Sequence, residues 1–143
     1  MKLIRVPLLL AALVLASCTS SGETQSTATL LNTYWKALSI RGQTVTVFEN
    51  QREPHFVLHL DDHRLAGFSG CNHLIGRYRN QGEQLKFEDV GGTLMACEHG
   101  MDTEAAFTQA LRDTVRWKIT GERLELFDAS GASVAKFESV YLR

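Results

Sequence analysis

The sequence predicts an α+β domain: a β-rich antiparallel meander, curved into a partly closed barrel-like sheet, with one amphipathic helix. Three observations carry this. Short apolar runs alternate with period two, as strands with one buried face do. Glycine and asparagine punctuate them at hairpin-like intervals. One segment, 101–114, repeats instead at helical spacing. Length and composition allow one such domain. The chain has 143 residues, 44% hydrophobic and 22% charged, close to globular averages. Fifteen Lys and Arg against sixteen Asp and Glu give a formal charge of -1, which argues against nucleic acid as a partner.

The first segment is not part of the fold. Lys2 and Arg5 precede an apolar run from Val6 to Leu15, broken only by Pro7, and Leu15-Ala16-Ser17-Cys18 ends it. The run is too short to span a bilayer, which takes ~20 residues. Residues 1–17 therefore read as a secretory signal peptide ending in a lipobox, with Cys18 lipidated after cleavage. One acyl chain holds a protein marginally, at roughly 0.8 kcal/mol per buried methylene, so stable anchoring takes the several chains that lipoprotein processing supplies. Removing 17 residues, Lys2 and Arg5 among them, leaves 126 with a formal charge of −3. Such a body has no basic patch for anionic headgroups, so its membrane contact is the lipid alone.

Residues 18–29 form the lipidated start and a flexible tether. Thr19 to Thr29 contains no large apolar side chain that could offset the entropy of ordering. Lipoproteins that this end resembles are retained in the inner membrane by Asp at the second position. Thr19 stands there instead, which favours the outer membrane, facing the periplasm, in a Gram-negative cell.

The folded body is expected over 30–143. Tyr34 to Ile40 alternates around Trp35, a core anchor, and Thr44 to Phe48 is β-branched and aromatic. Phe56, Leu58 and Leu60 share one strand face. Asp61-Asp62-His63 turns the chain, and Arg64 to Phe68 returns it. Leu74 to Arg79, Gln84 to Glu88, Trp117 to Thr120, Arg123 to Phe127 and Ser133 to Tyr141 complete the strands. Between them, Phe107, Ala110, Leu111 and Thr114 share one helical face, with Asp102 and Glu104 in the first turn and Arg112 in the last, as the helix dipole favours. Gly82 to Phe87 and Gly121 to Leu126 echo each other as glycine turns that launch strands. No linker divides the body.

Two blocks surround the remaining cysteines: Gly67-Phe68-Ser69-Gly70-Cys71-Asn72, continuing through Gly76-Arg77-Tyr78, and Thr93-Leu94-Met95-Ala96-Cys97, followed by Glu104, Phe107 and Leu111. With Trp35 before them and the strand from Gly121 after them, they resemble the META domain family, which includes the heat-inducible lipoprotein HslJ. Gly70, Asn72, Gly76, Tyr78, Thr93, Met95, Glu104 and Phe107 fill the family's motif places, in order, over 30–143. The resemblance implies a β-rich, barrel-like fold with a helix and no established catalysis. It also implies an association with stress response and novobiocin resistance, and a likeness in shape to lipid-binding pilotins.

In an exported chain, with Cys18 lipidated, Cys71 and Cys97 are left as a pair. A disulfide between them closes a loop of 27 residues, worth roughly 3.5 kcal/mol in chain entropy. Two reduced, buried thiols are the alternative. The Gly70 turn reads as architectural, with Asn72 bonding nearby peptide groups. Cys71-x-His73 and Cys97-x-His99 also offer two thiolates and two imidazoles to zinc or copper, although the one-residue spacing is not the usual zinc-site spacing. His55, His59 and His63 fall on strand and turn, where i and i+4 lie about 13 Å apart, and read as surface histidines.

Catalytic patterns fail on inspection. Gly67-Phe68-Ser69-Gly70-Cys71 lacks the last glycine of a nucleophile elbow, and Gly91-Gly92 lacks the residues of a phosphate loop. The expectation is a monomeric, non-enzymatic, lipid-anchored protein of the cell envelope, without a cofactor, that binds an envelope protein or lipid. Carriage of a small apolar ligand inside the barrel is the alternative. Trp35, Phe56, Phe87, Phe107 and Trp117 filling the interior would count against it.

Overall fold

Nine strands and one helix occupy residues 34–140 of the computed structural model, which describes residues 27–141. The signal peptide, Cys18 and the tether up to residue 26 lie outside the described residues. The strands are β1 (Tyr34–Ile40), β2 (Gln43–Thr44), β3 (His55–Leu58), β4 (Arg64–Phe68), β5 (His73–Gln81) and β6 (Gln84–Gly92). After helix α1 (Met101–Asp113) come β7 (Arg116–Thr120), β8 (Arg123–Phe127) and β9 (Ser133–Val140). All pairings are antiparallel. β1 pairs with both β3 and β9, so the sheet closes on itself as a ring, with β2 as a short spur on β1. No helix among the described residues is long and apolar enough to cross a membrane.

Inward-facing residues make the core. Trp35, Phe56, Phe107 and Phe137 are completely buried. Phe56 meets Phe137 edge-on at 4.9 Å and Phe87 at 5.8 Å, while Phe107 brings the helix to 5.7 Å from Phe137. The Trp35 indole N–H donates to the Leu30 carbonyl at 2.9 Å, which satisfies the one polar atom of that side chain. β6 and β7 meet at the pair Gln84↔Arg116 and then diverge. The helix packs against β6, β9 and β1, burying Phe107, Ala110 and Leu111. Thr114 caps its end, with the hydroxyl donating to the Ala110 carbonyl at 2.8 Å.

The echoed glycines are hairpin turns. Gly82-Glu83 and Gly121-Glu122 are two-residue connections whose first residue has φ near +60°, a place that favours glycine. Their carbonyls are used from outside. Trp117 donates its backbone N–H to Glu83 and its indole N–H to Gly82, while Ser139 N–H donates to Glu122 and Ala28 N–H to Gly121. Ala28 is buried, so the folded body takes in two residues that composition assigns to the tether.

Alternating strand directions sort the connections into two ends. Segments 41–54, 69–72, 93–100 and 128–132 lie at one end. Segments 59–63, 82–83 and 121–122 lie at the other, with the entering chain at 28–33.

Four expectations need correction. Thr44 to Phe48 is not a strand: after Thr44 the chain leaves the sheet, and Val47 and Phe48 stand in solvent. β3 ends at Leu58, so Leu60 does not share its buried face and is 51% exposed. Trp117 lies half-buried at the rim, and Phe137 takes the interior place expected of it. His55 is not a surface residue: it is 7% exposed, its ring stacked on Tyr34 at 4.2 Å.

Candidate functional site

The two cysteine blocks and the start of the helix converge at the end of the ring opposite the entering chain. Cys71 and Cys97 are joined by a disulfide, with Cα atoms 5.8 Å apart. Asn72, 2% exposed, is the hub. Its carbonyl oxygen accepts from the Thr93 hydroxyl and from the Met95 N–H, each at 2.7 Å. Its amide donates to the Met95 carbonyl at 3.0 Å and to Glu104 Oε1 at 3.1 Å. Both lone pairs and both N–H groups of the side chain are therefore used.

Glu104 reaches into the same turn from the first turn of α1. Its Oε2 accepts the Asn72 backbone N–H at 2.8 Å and the Ser69 hydroxyl at 3.0 Å. A carboxylate there meets the positive end of the helix dipole as well as three donors. Thr93 closes the circuit by accepting His73 N–H at 3.1 Å. Backbone contact completes the junction. Gly100, the residue before the helix, has φ +91°, and a Cβ on it would collide with the Gly70 carbonyl oxygen.

The structure thus gathers Gly70, Cys71, Asn72, Thr93, Met95, Cys97 and Glu104. Phe107 lies one turn along α1 and serves the core. Gly76 and Tyr78 stand apart: Gly76 allows β5 and β6 to approach closely, and the Tyr78 hydroxyl donates to the His59 carbonyl at 3.0 Å, at the other end. Ser69 and Gly100 are members that sequence reasoning did not single out. Gly100 carried a signal, as a glycine just before a helical pattern. Asp61 and Asp62 are exposed turn residues, and Asp62 accepts the Arg64 N–H at 3.1 Å.

The residue pattern over this whole arrangement matches the META domain model across residues 28–141. The chain belongs to the META domain family. The META domain here is also similar to a solved structure, the NMR structure of a protein from Burkholderia xenovorans. That likeness has 26% identity and a TM-score of 0.64, and covers 79% of this chain and 85% of that one. A second NMR structure, 19% identical with a TM-score of 0.59, covers 76% of this chain and 90% of that one and shares the fold. No curated protein is significantly similar in sequence.

The disulfide of this META domain removes the four-ligand metal reading. Both sulfurs are bonded to each other and supply no thiolate. His73 lies edge-on to Phe68 at 6.0 Å, and His99 stacks on Phe48 at 4.5 Å. A concavity lies beside β5, β6, β7 and the turn at 128–132. It is an open groove of about 870 Å³ lined by the charged or polar His63, Arg79, Lys86, Arg116 and Asp128 and by the apolar Leu85, Val115 and Ala129.

A separate cluster sits outside β1 and β3. The Tyr34 hydroxyl donates to Glu53 Oε1 at 2.9 Å, and His55 Nδ1 donates to the Glu53 carbonyl at 2.9 Å. Burial, then the Glu53 carboxylate, pushes the Tyr34 hydroxyl well above its ordinary value. The donated proton holds Glu53 below the usual range, and burial holds His55 below its own.

Proposed function

We propose that this META domain is a lipid-anchored, non-enzymatic binding module of the cell envelope. In this reading it hangs from the outer membrane by Cys18, as a monomer, and serves stress response or tolerance of novobiocin-type antibiotics by binding an envelope component. The observation that carries the reading is the interior. Trp35, Phe56, Phe87, Phe107 and Phe137 fill the ring, so any partner must be met on the outer surface. That packing also speaks against carriage of an apolar ligand within it. Support for the anchor comes from Leu15-Ala16-Ser17-Cys18 and the polar stretch after it.

The test is Cys18→Ala in the full chain. The expected outcome is loss of acylation, release from the membrane fraction, an unchanged unfolding midpoint and failure to restore novobiocin tolerance to cells lacking the protein. An acylated, membrane-bound variant would sink the anchor. Equal sensitivity of cells with and without the wild-type protein would sink the physiological role.

A further inference from the structure

The end of the ring that carries the motif cluster also carries most of the apolar surface left in solvent. Nine large apolar side chains are exposed among the described residues, and five of them, Val47, Phe48, Leu94, Met95 and Met101, belong to this end. The others are scattered: Leu60 and Tyr141 at the opposite end, Ile75 on the wall, Val115 after the helix. Single exposed residues need no explanation, whereas a group on one rim marks an interaction surface. The two loops that make this rim are tied together. Phe48 stacks on His99 at 4.5 Å, and the Gln51 side-chain amide donates to the His99 carbonyl at 3.0 Å.

Leu94 stands out within the group because it is 98% exposed yet firmly held. The residue before it is fixed by the Thr93 hydroxyl on Asn72, and the residue after it by both backbone groups of Met95 on the same side chain. Two residues further on, the disulfide pins Cys97 to Cys71. A leucine presented this way loses little freedom on binding, which is where much of the cost of association lies.

Charge narrows the occupant. Glu49, Glu98 and Asp102 are exposed on the same rim. The cations of this end are engaged elsewhere: the Arg52 guanidinium lies 6.0 Å from the centre of the Phe68 ring, and Arg41 pairs with Asp113. An acidic rim repels anionic headgroups and a second copy of itself, and it complements a basic surface. Chain direction agrees: Ala28 N–H is bonded to the Gly121 turn, so the described chain enters at the end opposite this rim.

We infer that the rim formed by Phe48, Leu94, Met95 and Met101 is a docking surface for an envelope protein, whose apolar socket receives Leu94 and whose basic fringe meets Glu49, Glu98 and Asp102. This rests on the binding-module reading and names its surface.

The test places the photoreactive residue p-benzoylphenylalanine at position 94 of the full chain in its own cells, with positions 60 and 75 as exposed controls. The expected result is one discrete protein adduct from position 94 and none of that mass from the controls. Its yield should fall about tenfold with Glu98→Lys plus Asp102→Lys, and likewise with Phe48→Asp, each with an unchanged unfolding midpoint. An adduct of twice the chain's mass, an adduct to lipid, an adduct indifferent to charge reversal, or no adduct would each overturn the inference. Leu94→Glu separates this from the parent reading. If it restores novobiocin tolerance as wild type does while Cys18→Ala does not, the docking surface falls and the anchored module stands.

Discussion

Glu104 Oε2 accepts the backbone N–H of Asn72 at 2.8 Å across 32 residues of sequence, joining the first turn of the helix to the turn between β4 and β5. The carboxylate has only donors around it: that N–H, the Ser69 hydroxyl and the Asn72 amide. Glu104→Gln must turn its own N–H₂ toward one of them. The expected cost is about 1–3 kcal/mol, and Glu104→Ala should cost at least as much because it leaves the buried donors unmet. Urea midpoints of the two variants against wild type measure this.

The disulfide should be fully formed in protein purified without reductant. Intact mass should rise by about two units on reduction, with no thiol alkylated beforehand, since each disulfide holds two fewer hydrogens than its thiols. Cys71→Ala with Cys97→Ala should lower stability by about 3 kcal/mol, the entropy of closing that loop less any native strain.

Gly100→Ala and Gly42→Ala separate conformation from collision. Both glycines have positive φ, but a Cβ on Gly42 meets nothing within 4 Å. Gly42→Ala should therefore cost about 1 kcal/mol, the conformational part alone. Gly100→Ala adds the clash with Gly70 and should cost about 3 kcal/mol. Similar losses for the two would mean that the backbone at the helix entry yields freely.

His55 predicts a pH dependence with a definite sign. Burial holds its folded-state pKa below the ordinary 6.5, so the unfolded chain takes up a proton first as pH falls. Stability from this group is complete above that value and declines as pH drops through it toward the folded pKa. Unfolding midpoints between pH 7.5 and about 5 should fall in wild type. In His55→Phe the ring can still stack on Tyr34 but cannot charge, so the slope should flatten even though the variant is less stable throughout.

Much of the framework was legible because the decisive forces are local. Phe56 and Leu58 alternate into the core, and Phe107, Ala110, Leu111 and Thr114 line one buried face of the helix and its cap. The glycine turns also appear where the echo placed them. Thr44 to Phe48 misled because β-propensity reflects what a side chain packs against, and here the chain leaves the sheet for the rim. His55 misled for the converse reason: it faces outward on its strand, and Tyr34, contributed by another strand, stacks over it while the Glu53 carbonyl takes its N–H. The motif order identified most members of the cluster. The hub role of Asn72 was not legible, since its partners at Met95 and Glu104 lie more than twenty residues away and are met only through the fold.

The seam between β1 and β9 has a consequence for how the domain is made. Tyr34 pairs with Val140, more than a hundred residues later, so ring closure is the most non-local event in the chain. Until β9 is in place, β1 and β8 each present an open strand edge, the kind of surface that recruits other chains. A chain that emerges N-terminus first keeps both edges exposed until its ninth strand has arrived. Closing the ring between β1 and β9 then removes these two edges in one step.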